Sequence, residues 1–484
     1  MRLRLADLKA LAAYRIFTAG YLLFDIALRW IDAPLVYHPG VLEPVRRELT
    51  FSLMRATENL QTLPLLWVAI AICYALFLVG FQTRVFHALS LVGFVSLLNY
   101  NNHVLYEGDA LVAFGLLWSL FTPTGSKWSL DSIRHPDSAK RVRSWGVAAL
   151  KVQVLVMYAV SASWKLTNPD HDWTYGTALF YGSRYDCTAW GLAPWIQSLP
   201  FPLTRLLTWF ILAAWCAAPV ILVGRVRTAS QRRWGVGCLV FVHALLCSTL
   251  YVGAFFWAIL PLLLLFLEPS DLGFRRNGNE SGTRSEGGWR STALIALLAY
   301  VNFFTLGQAY ENLIRSWIGD AGAPLYYGLK PVRLVNLNVA LFPPQYWRIH
   351  AFTPRFDTTF FFEGITREGR SIDLSPPLIS WTRWFTLTSP GRIDWSPQHN
   401  GRIYDRLVYN YLWHMKKGGD ARDRAVFGEW LRNTYQMKFP GLVLDRIVWH
   451  DWMEITEAPG LPQPAGLIKE IAQTWDWTPK AVAK

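Results

Sequence analysis

Blocks of about 20 consecutive apolar residues recur along this chain, and a block of that length spans a bilayer as one helix. A typical one is LPLLWVAIAICYALFLVGF, Leu63 to Phe81. The lipid core offers no water to backbone N–H and C=O groups, so each block must satisfy them internally, as a helix. Candidate spans fall at residues 10–30, 63–82, 85–103, 109–122, 145–165, 204–223, 234–250, 253–268 and 291–313, or about nine crossings. Trp234 to Leu267 is too long for one crossing and is divided near Tyr251–Ala254, where Gly253 suits a tight turn. The first apolar run, Leu11 to Trp30, carries Arg15 and Asp25, and no small-residue cleavage site follows it. It is expected to remain as the first span rather than to be a removed signal peptide.

Charge sets the orientation. The net charge of +13 is concentrated in loops between spans. Lys127, Arg134, Lys140, Arg141 and Arg143 separate the fourth and fifth spans. Arg225, Arg227, Arg232 and Arg233 follow the sixth, and Arg275, Arg276, Arg284 and Arg290 follow the eighth. An N-terminus inside places all three clusters in the cytoplasm, as the positive-inside rule expects, and the C-terminal region outside. No basic stripe interleaved with aromatics lies outside the spans, so no nucleic acid is expected as a partner. Of the five cysteines, only Cys187 falls outside the apolar runs; no CxxC pair exists, and neither a disulfide framework nor a zinc site is implied. His350, His399, His414 and His450 have no ligand spacing, so no metal is expected.

From about Ala321 the pattern changes. TTFFFEGITREGRSIDL reads as two short strands about a glycine turn, and after Pro397 RIYDRLVYNYLWHMKK and RDRAVFGEWLRNTYQM carry apolar residues at spacings of three and four. The Gly- and Ser-rich, charged RRNGNESGTRSEGG, Arg275 to Gly288, reads as a flexible linker. The expected fold is a polytopic α-helical membrane protein with a small C-terminal α+β extramembrane domain. Its parts are a transmembrane domain (1–270), a linker (271–290), an additional transmembrane helix (291–320) and the extracytoplasmic domain (321–484).

Ionisable and amide side chains inside a membrane are expensive and are functional candidates by default. The third span ends in NYNNHVLYEGD, where a continued helix puts Asn99, Asn102, His103 and Tyr106 on one face. The fifth carries Lys151, Gln153, Tyr158, Ser161 and Lys165, with Lys151, Tyr158 and Lys165 seven apart in one stripe. His243 lies in the seventh span, about ten residues, or roughly 15 Å, below its outer end. Asn102, His103 and Lys165 approach the outer end of their spans, so a pocket opening outward would collect them with His243. Each has a plain reading too. Lys165 and Lys151 serve as snorkelling anchors, His87 sits at the cytoplasmic interface, Asn101 and Asn102 cap a helix, and Gln153 and His243 bridge neighbouring helices. The amphipathic DWTYGTALFYGSRYD, Asp172 to Asp186, suits the outer interface.

Three stretches carry a resemblance: NNHVLYEGDALVAFGLLWSLFTPTGSKWSLDS, QVLVMYAVSASWKLTNPDHDWTYGTALFY and FVHALLCSTLYVGAFFWAILPLLLLFL. In this order, over about residues 10–270, they resemble the horizontally transferred transmembrane domain of vitamin K-dependent γ-carboxylases and their bacterial relatives. By that resemblance Lys165 matches the lysine that deprotonates vitamin K hydroquinone, and His103 a histidine of the carboxylation half-reaction. Asn102 sits where an asparagine neighbours the quinone, and His243 matches a family histidine. The implied chemistry adds O2 to the hydroquinone anion; the resulting alkoxide takes a glutamate γ-proton, and the carbanion captures CO2. The implied cofactor is therefore a reduced quinone, of the vitamin K or menaquinone kind. Tyr158, on the same stripe as Lys165, is a further candidate to bind it.

This sequence departs from the animal carboxylases in two places. Its exterior part is short, like the extension of bacterial members, and Trp164 stands where the carboxylases carry a second lysine. Two readings follow. One is a bacterial inner-membrane enzyme that oxidises a lipid hydroquinone and modifies an exported peptide or protein. The other is a non-enzymatic membrane factor that matures or exports a secreted peptide, together with a soluble partner protein. Beyond membrane lipid, these are the partners expected. No inverted repeat or pair of broken helices favours a transporter.

Overall fold

The computed structural model describes residues 2–37, 51–57, 63–101, 104–105, 107–167, 170–185, 189–223, 228–250, 255–268, 271, 282–285, 291–302, 356–375, 387–393, 411–413, 415–416, 421–461 and 466–478. Helices occupy every apolar block: α1 (Leu8–Val36), α2 (Leu63–Val79), α3 (Thr83–Tyr100), α4 (Glu107–Ser119), α6 (Trp145–Thr167), α9 (Phe201–Val223), α10 (Ala229–Thr249), α11 (Phe255–Leu264) and α12 (Ser291–Asn302). Short helices α5 (Leu130–Arg134), α7 (Ala178–Arg184) and α8 (Ala193–Ser198) lie in the connections. Three helices are long and apolar enough to cross a membrane: Leu8–Trp30 within α1, α6 and α9. The chain is thus a membrane protein, though length and apolarity mark three full crossings among the described residues, not nine. The shortfall has a physical source. At 1.5 Å per residue a ten-residue helix such as α11 rises only about 15 Å, half the hydrocarbon core.

The bundle packs through α1 on α2 and α11, α2 on α3, α4 on α6 and α11, and α9 on α6 and α10. Its interior holds Trp67, Tyr74, Trp118, Tyr158 and Trp215, all fully buried. Polar side chains join the helices. Trp118 Nε1 donates to Gln153 Oε1 at 3.0 Å, bridging α4 and α6. Arg15, inside α1, donates to the carbonyls of Thr124 at 3.0 Å and of Trp128. His87 was expected at the interface; instead it is 1% exposed, 3.1 Å from Ser119 Oγ and stacked on Phe77. Helix α4 covers it, and hydropathy along one helix does not register such a neighbour.

Described parts of the basic loops meet one another. Strands β1 (Leu5–Asp7), β2 (Arg141–Arg143) and β3 (Thr283–Ser285) form a sheet in that order, so three residues of the expected linker pair in parallel with β2. Lys151 Nζ donates to the Leu5 carbonyl at 2.8 Å, and Arg232 holds Asp271 through two bonds of 2.8 and 2.9 Å. Asp131 of α5 accepts from Gln82 N, Thr83 N and Thr83 Oγ1 at 2.9, 2.7 and 2.7 Å, closing the N-terminus of α3. Burial works against its ionised form, but these bonds outweigh it and hold the Asp131 carboxyl below the ordinary 3.8. Its folded pKa is depressed, so its contribution is complete above about pH 4 and fades as pH falls through the lowered value. Asp131→Asn is expected to lower stability by ~1–2 kcal/mol at pH 7 and to flatten the acid limb of a stability–pH curve. An unaltered acid limb would show that the cap carries no such weight.

At the C-terminal side β4 (Phe356–Thr366) and β5 (Ser371–Asp373) pair antiparallel across a turn in which Gly369 has φ +77°, as the glycine signal anticipates. The helical repeat RDRAVFGEWLRNTYQM becomes α13 (Ala421–Lys438). Two long strands, β6 (Leu444–Ile455) and β7 (Gly466–Asp476), complete a four-stranded antiparallel sheet in the order β5-β4-β6-β7. Helical periodicity ahead of them gave no sign of these strands. Phe362, Trp449 and Trp475 stack across the sheet, and Phe427 of α13 packs on Phe362 and Trp475. A Cβ at Gly428 would come within 2.5 Å of the Trp475 ring. Gly428→Ala is therefore expected to destabilise this unit by ~1–3 kcal/mol, less about 1 kcal/mol regained in helix propensity. Denaturant unfolding followed by tryptophan fluorescence measures the difference, and a net gain would contradict the close fit.

Candidate functional site

Helix α6 builds the centre of the site. Positions 158, 161 and 165 recur at three and four residues, so Tyr158, Ser161 and Lys165 share one face. Lys165 is 0% exposed, and its Nζ donates to Ser161 Oγ at 2.9 Å, one turn back. The amine also lies over two indoles, Trp215 of α9 at 4.3 Å and Trp173 at 4.9 Å from the ring centroids. A snorkelling lysine would send its ammonium to the headgroups; this one is enclosed by aromatic walls.

Tyr158, also 0% exposed, shares a 2.7 Å hydrogen bond with Nε2 of His243, on α10. The imidazole packs edge-on against Trp215 at 4.8 Å and tilted against Phe255 at 5.3 Å. Trp215 meets Tyr158 edge-on at 5.7 Å. Trp215 therefore joins the Lys165 amine to the Tyr158–His243 pair. Its own Nε1 is buried without a hydrogen-bond partner among the described residues.

Of the five site residues the sequence proposes, three meet here: Lys165, Tyr158 and His243. Asn102 and His103 lie outside the described residues, as do Tyr106, Gly253 with its turn, and His350, His399 and His414. Helix α3 stops at Tyr100, and Asn101 is extended. Asn99 explains part of this: its Nδ2 donates to the Phe51 carbonyl at 2.9 Å, anchoring the end of α3 to a preceding loop. The segment Asp172–Asp186 also departs from expectation. Helix α7 within it is buried from Ala178 to Ser183 and packs on α8 and α9, so its aromatic face is turned to protein. Leu179 N donates to Thr208 Oγ1 at 3.4 Å, within that contact. Just outside α7's buried face, Arg184 lies 3.8 Å from the Phe180 ring, and desolvation lowers its guanidinium pKa.

A second polar cluster was unforeseen. Arg29 of α1, 2% exposed, donates to Asp25 Oδ2 at 2.7 Å, Asp109 Oδ1 at 2.9 Å and the Tyr37 hydroxyl at 2.9 Å. The Tyr21 hydroxyl adds a 3.1 Å bond to Asp25. This cluster fastens α1 to the first turn of α4, just past the segment holding Asn102 and His103. Its signal lay in the sequence as Asp25 and Arg29, one helical turn apart inside a span. Trp215 had no such signal, being one of 25 tryptophans.

A separate cavity of about 700 Å³ opens beside the N-terminus of α3, lined by Thr83, Arg84, Asp131 and His135 among others. It includes His87 but none of the Lys165 cluster. No group of three His, Cys, Asp or Glu converges among the described residues.

The family model described as the HTTM domain matches residues 3–270, more than half of the chain and all of the Lys165 cluster. No curated protein and no solved structure matches.

Proposed function

The chain belongs to the HTTM domain family, and from that premise we propose that it is an integral membrane enzyme in which Lys165 acts as base toward a lipid-soluble hydroquinone. The oxidation would drive modification of an exported peptide or protein. The observation that carries the reading is the burial of Lys165, whose amine sits inside the bundle between two indoles instead of at a headgroup. A base of this kind must be shielded from water and held in a fixed position. Ser161 and the indole faces do both.

The residues fit a reduced quinone, of the vitamin K or menaquinone kind. A flat apolar ring with oxygens at its edge suits walls of Trp173, Trp215 and Phe255 with Lys165 and the Tyr158–His243 pair as polar contacts. Bound there, the hydroquinone would supply the electrons that reduce O2; if carboxylation follows, the CO2 would join the substrate's side chain and not the quinone. Lys165 Nζ would accept the proton, Ser161 would orient the amine, and His243 with Tyr158 would position the ring. His103 and Asn102, which follow α3 in sequence, would serve the second half-reaction. The basic loops support a cytoplasmic N-terminus and an extracytoplasmic C-terminal domain in a bacterial inner membrane. About nine crossings remain part of this proposal.

The test is oxygen uptake by the purified protein in nanodiscs supplied with vitamin K hydroquinone or menaquinone hydroquinone. Oxygen-dependent epoxide formation is the expected result. Folded protein that turns over neither hydroquinone would overturn the enzyme reading and leave the non-enzymatic maturation factor in its place.

A further inference from the structure

Resting on that reading of Lys165, we propose that the indole N–H of Trp215 is the donor that binds the ring oxygen from which Lys165 takes its proton. Trp215 is 1% exposed, and its Nε1 has no hydrogen-bond partner among the described residues. Buried donors are nearly always bonded, because an unmet one forfeits its hydration without return. Trp118 follows the rule, its Nε1 bonded to Gln153. The orphan at Trp215 stands in the middle of the functional cluster. Lys165 Nζ lies over its ring face at 4.3 Å, and Tyr158 and His243 meet it edge-on. The indole nitrogen belongs to that same ring, so donor and base stand within one ring width of each other.

Each neighbouring polar group already makes one bond. The Tyr158 hydroxyl and His243 Nε2 bond each other at 2.7 Å, and Lys165 Nζ bonds Ser161. Other buried donors without a partner among the described residues, such as Trp67 Nε1 and the Tyr74 hydroxyl on α2, Ser90 Oγ on α3 and Trp449 Nε1 on β6, lie on other elements. To an acceptor arriving beside Lys165, Trp215 offers a donor that has no bond among the described residues.

The chemistry gives the ring two tasks. In the proton transfer an O–H bond breaks, its electron pair stays on the oxygen, and an N–H bond forms on Lys165 Nζ. One negative and one positive charge appear together inside a dry site. The face of Trp215 attracts the ammonium by cation–π interaction, and its edge donates to the oxygen. Indole is a donor only and cannot reclaim the proton, so it stabilises the products without competing for them. No oxidant is consumed in this step.

The test reads binding, not turnover. The probes are 2-hydroxy-1,4-naphthoquinone, an anion at neutral pH, and 2-methyl-1,4-naphthoquinone, which carries no charged oxygen. Calorimetry in nanodiscs compares wild type, Trp215→Phe and protein with benzothienylalanine at 215, which keeps the ring shape but replaces N–H by sulfur. Affinity for the anion is expected to fall roughly tenfold to a hundredfold in both, while that for the methyl compound stays within about twofold. Unchanged anion affinity in the benzothienylalanine protein would overturn the assignment. If Lys165→Ala abolishes hydroquinone turnover in that case, the base reading stands and only the role of Trp215 falls. If wild type binds neither probe and shows no turnover, both fall.

Discussion

Lys165→Arg is expected to fold as wild type yet oxidise hydroquinone ~10²–10⁴-fold more slowly, the usual contribution of a positioned acid or base. Arginine keeps the positive charge, a long apolar stem and the capacity to lie on an indole face. It remains protonated in proteins and so cannot take a proton. An anchor would tolerate the exchange; a base would not. Lys165→Ala is expected to lose activity equally, but it also removes the packing against Trp215 and Trp173. The arginine variant is therefore the sharper measurement. Activity in Lys165→Arg within about threefold of wild type, well under the range for a lost base, would remove Lys165 from the chemistry.

The second large effect concerns stability. Arg29→Met is expected to destabilise the protein by ~3–5 kcal/mol, because it leaves Asp25 and Asp109 buried without their counter-charge. Asp109 is fully buried, and both carboxylates bond the same guanidinium at 2.7 and 2.9 Å. Adding Asp109→Asn to Arg29→Met is expected to restore part of the loss, since one uncompensated charge disappears with it. Thermal unfolding in nanodiscs, read by intrinsic fluorescence, gives both numbers. A loss below about 1 kcal/mol for the single variant would mean the cluster is hydrated and contributes little. The cluster ties α1 to the first turns of α4, so Arg29→Met is also expected to loosen that junction.

Much of the helical plan was legible because the bilayer imposes it. A block of apolar residues has few alternatives in lipid, so the positions of α1, α2, α6 and α9 follow from hydropathy alone. Lys165 and Tyr158 were legible as a pair on one face, since helical periodicity fixes which residues of a single element lie together. The ends of helices were less legible. The end of α3 at Tyr100 depends on what Asn99 reaches in the Phe51–Thr57 segment, a contact of 48 residues' separation. Strands β6 and β7 escaped notice because their aromatic residues alternate weakly, and the sheet partner Phe356–Thr366 lies some 90 residues earlier.

The sequence by itself determined that the chain enters a membrane, which loops are basic, and which polar residues lie within spans. Each of these is a property of one segment and the solvent around it. The tertiary structure decided that Lys165 is enclosed, not snorkelling, that its walls are Trp173 and Trp215, and that Tyr158 turns to His243. It also decided that Arg29 holds two aspartates. These are meetings between helices. They depend on rotation and depth of one helix against another, which side-chain packing sets and no single segment encodes.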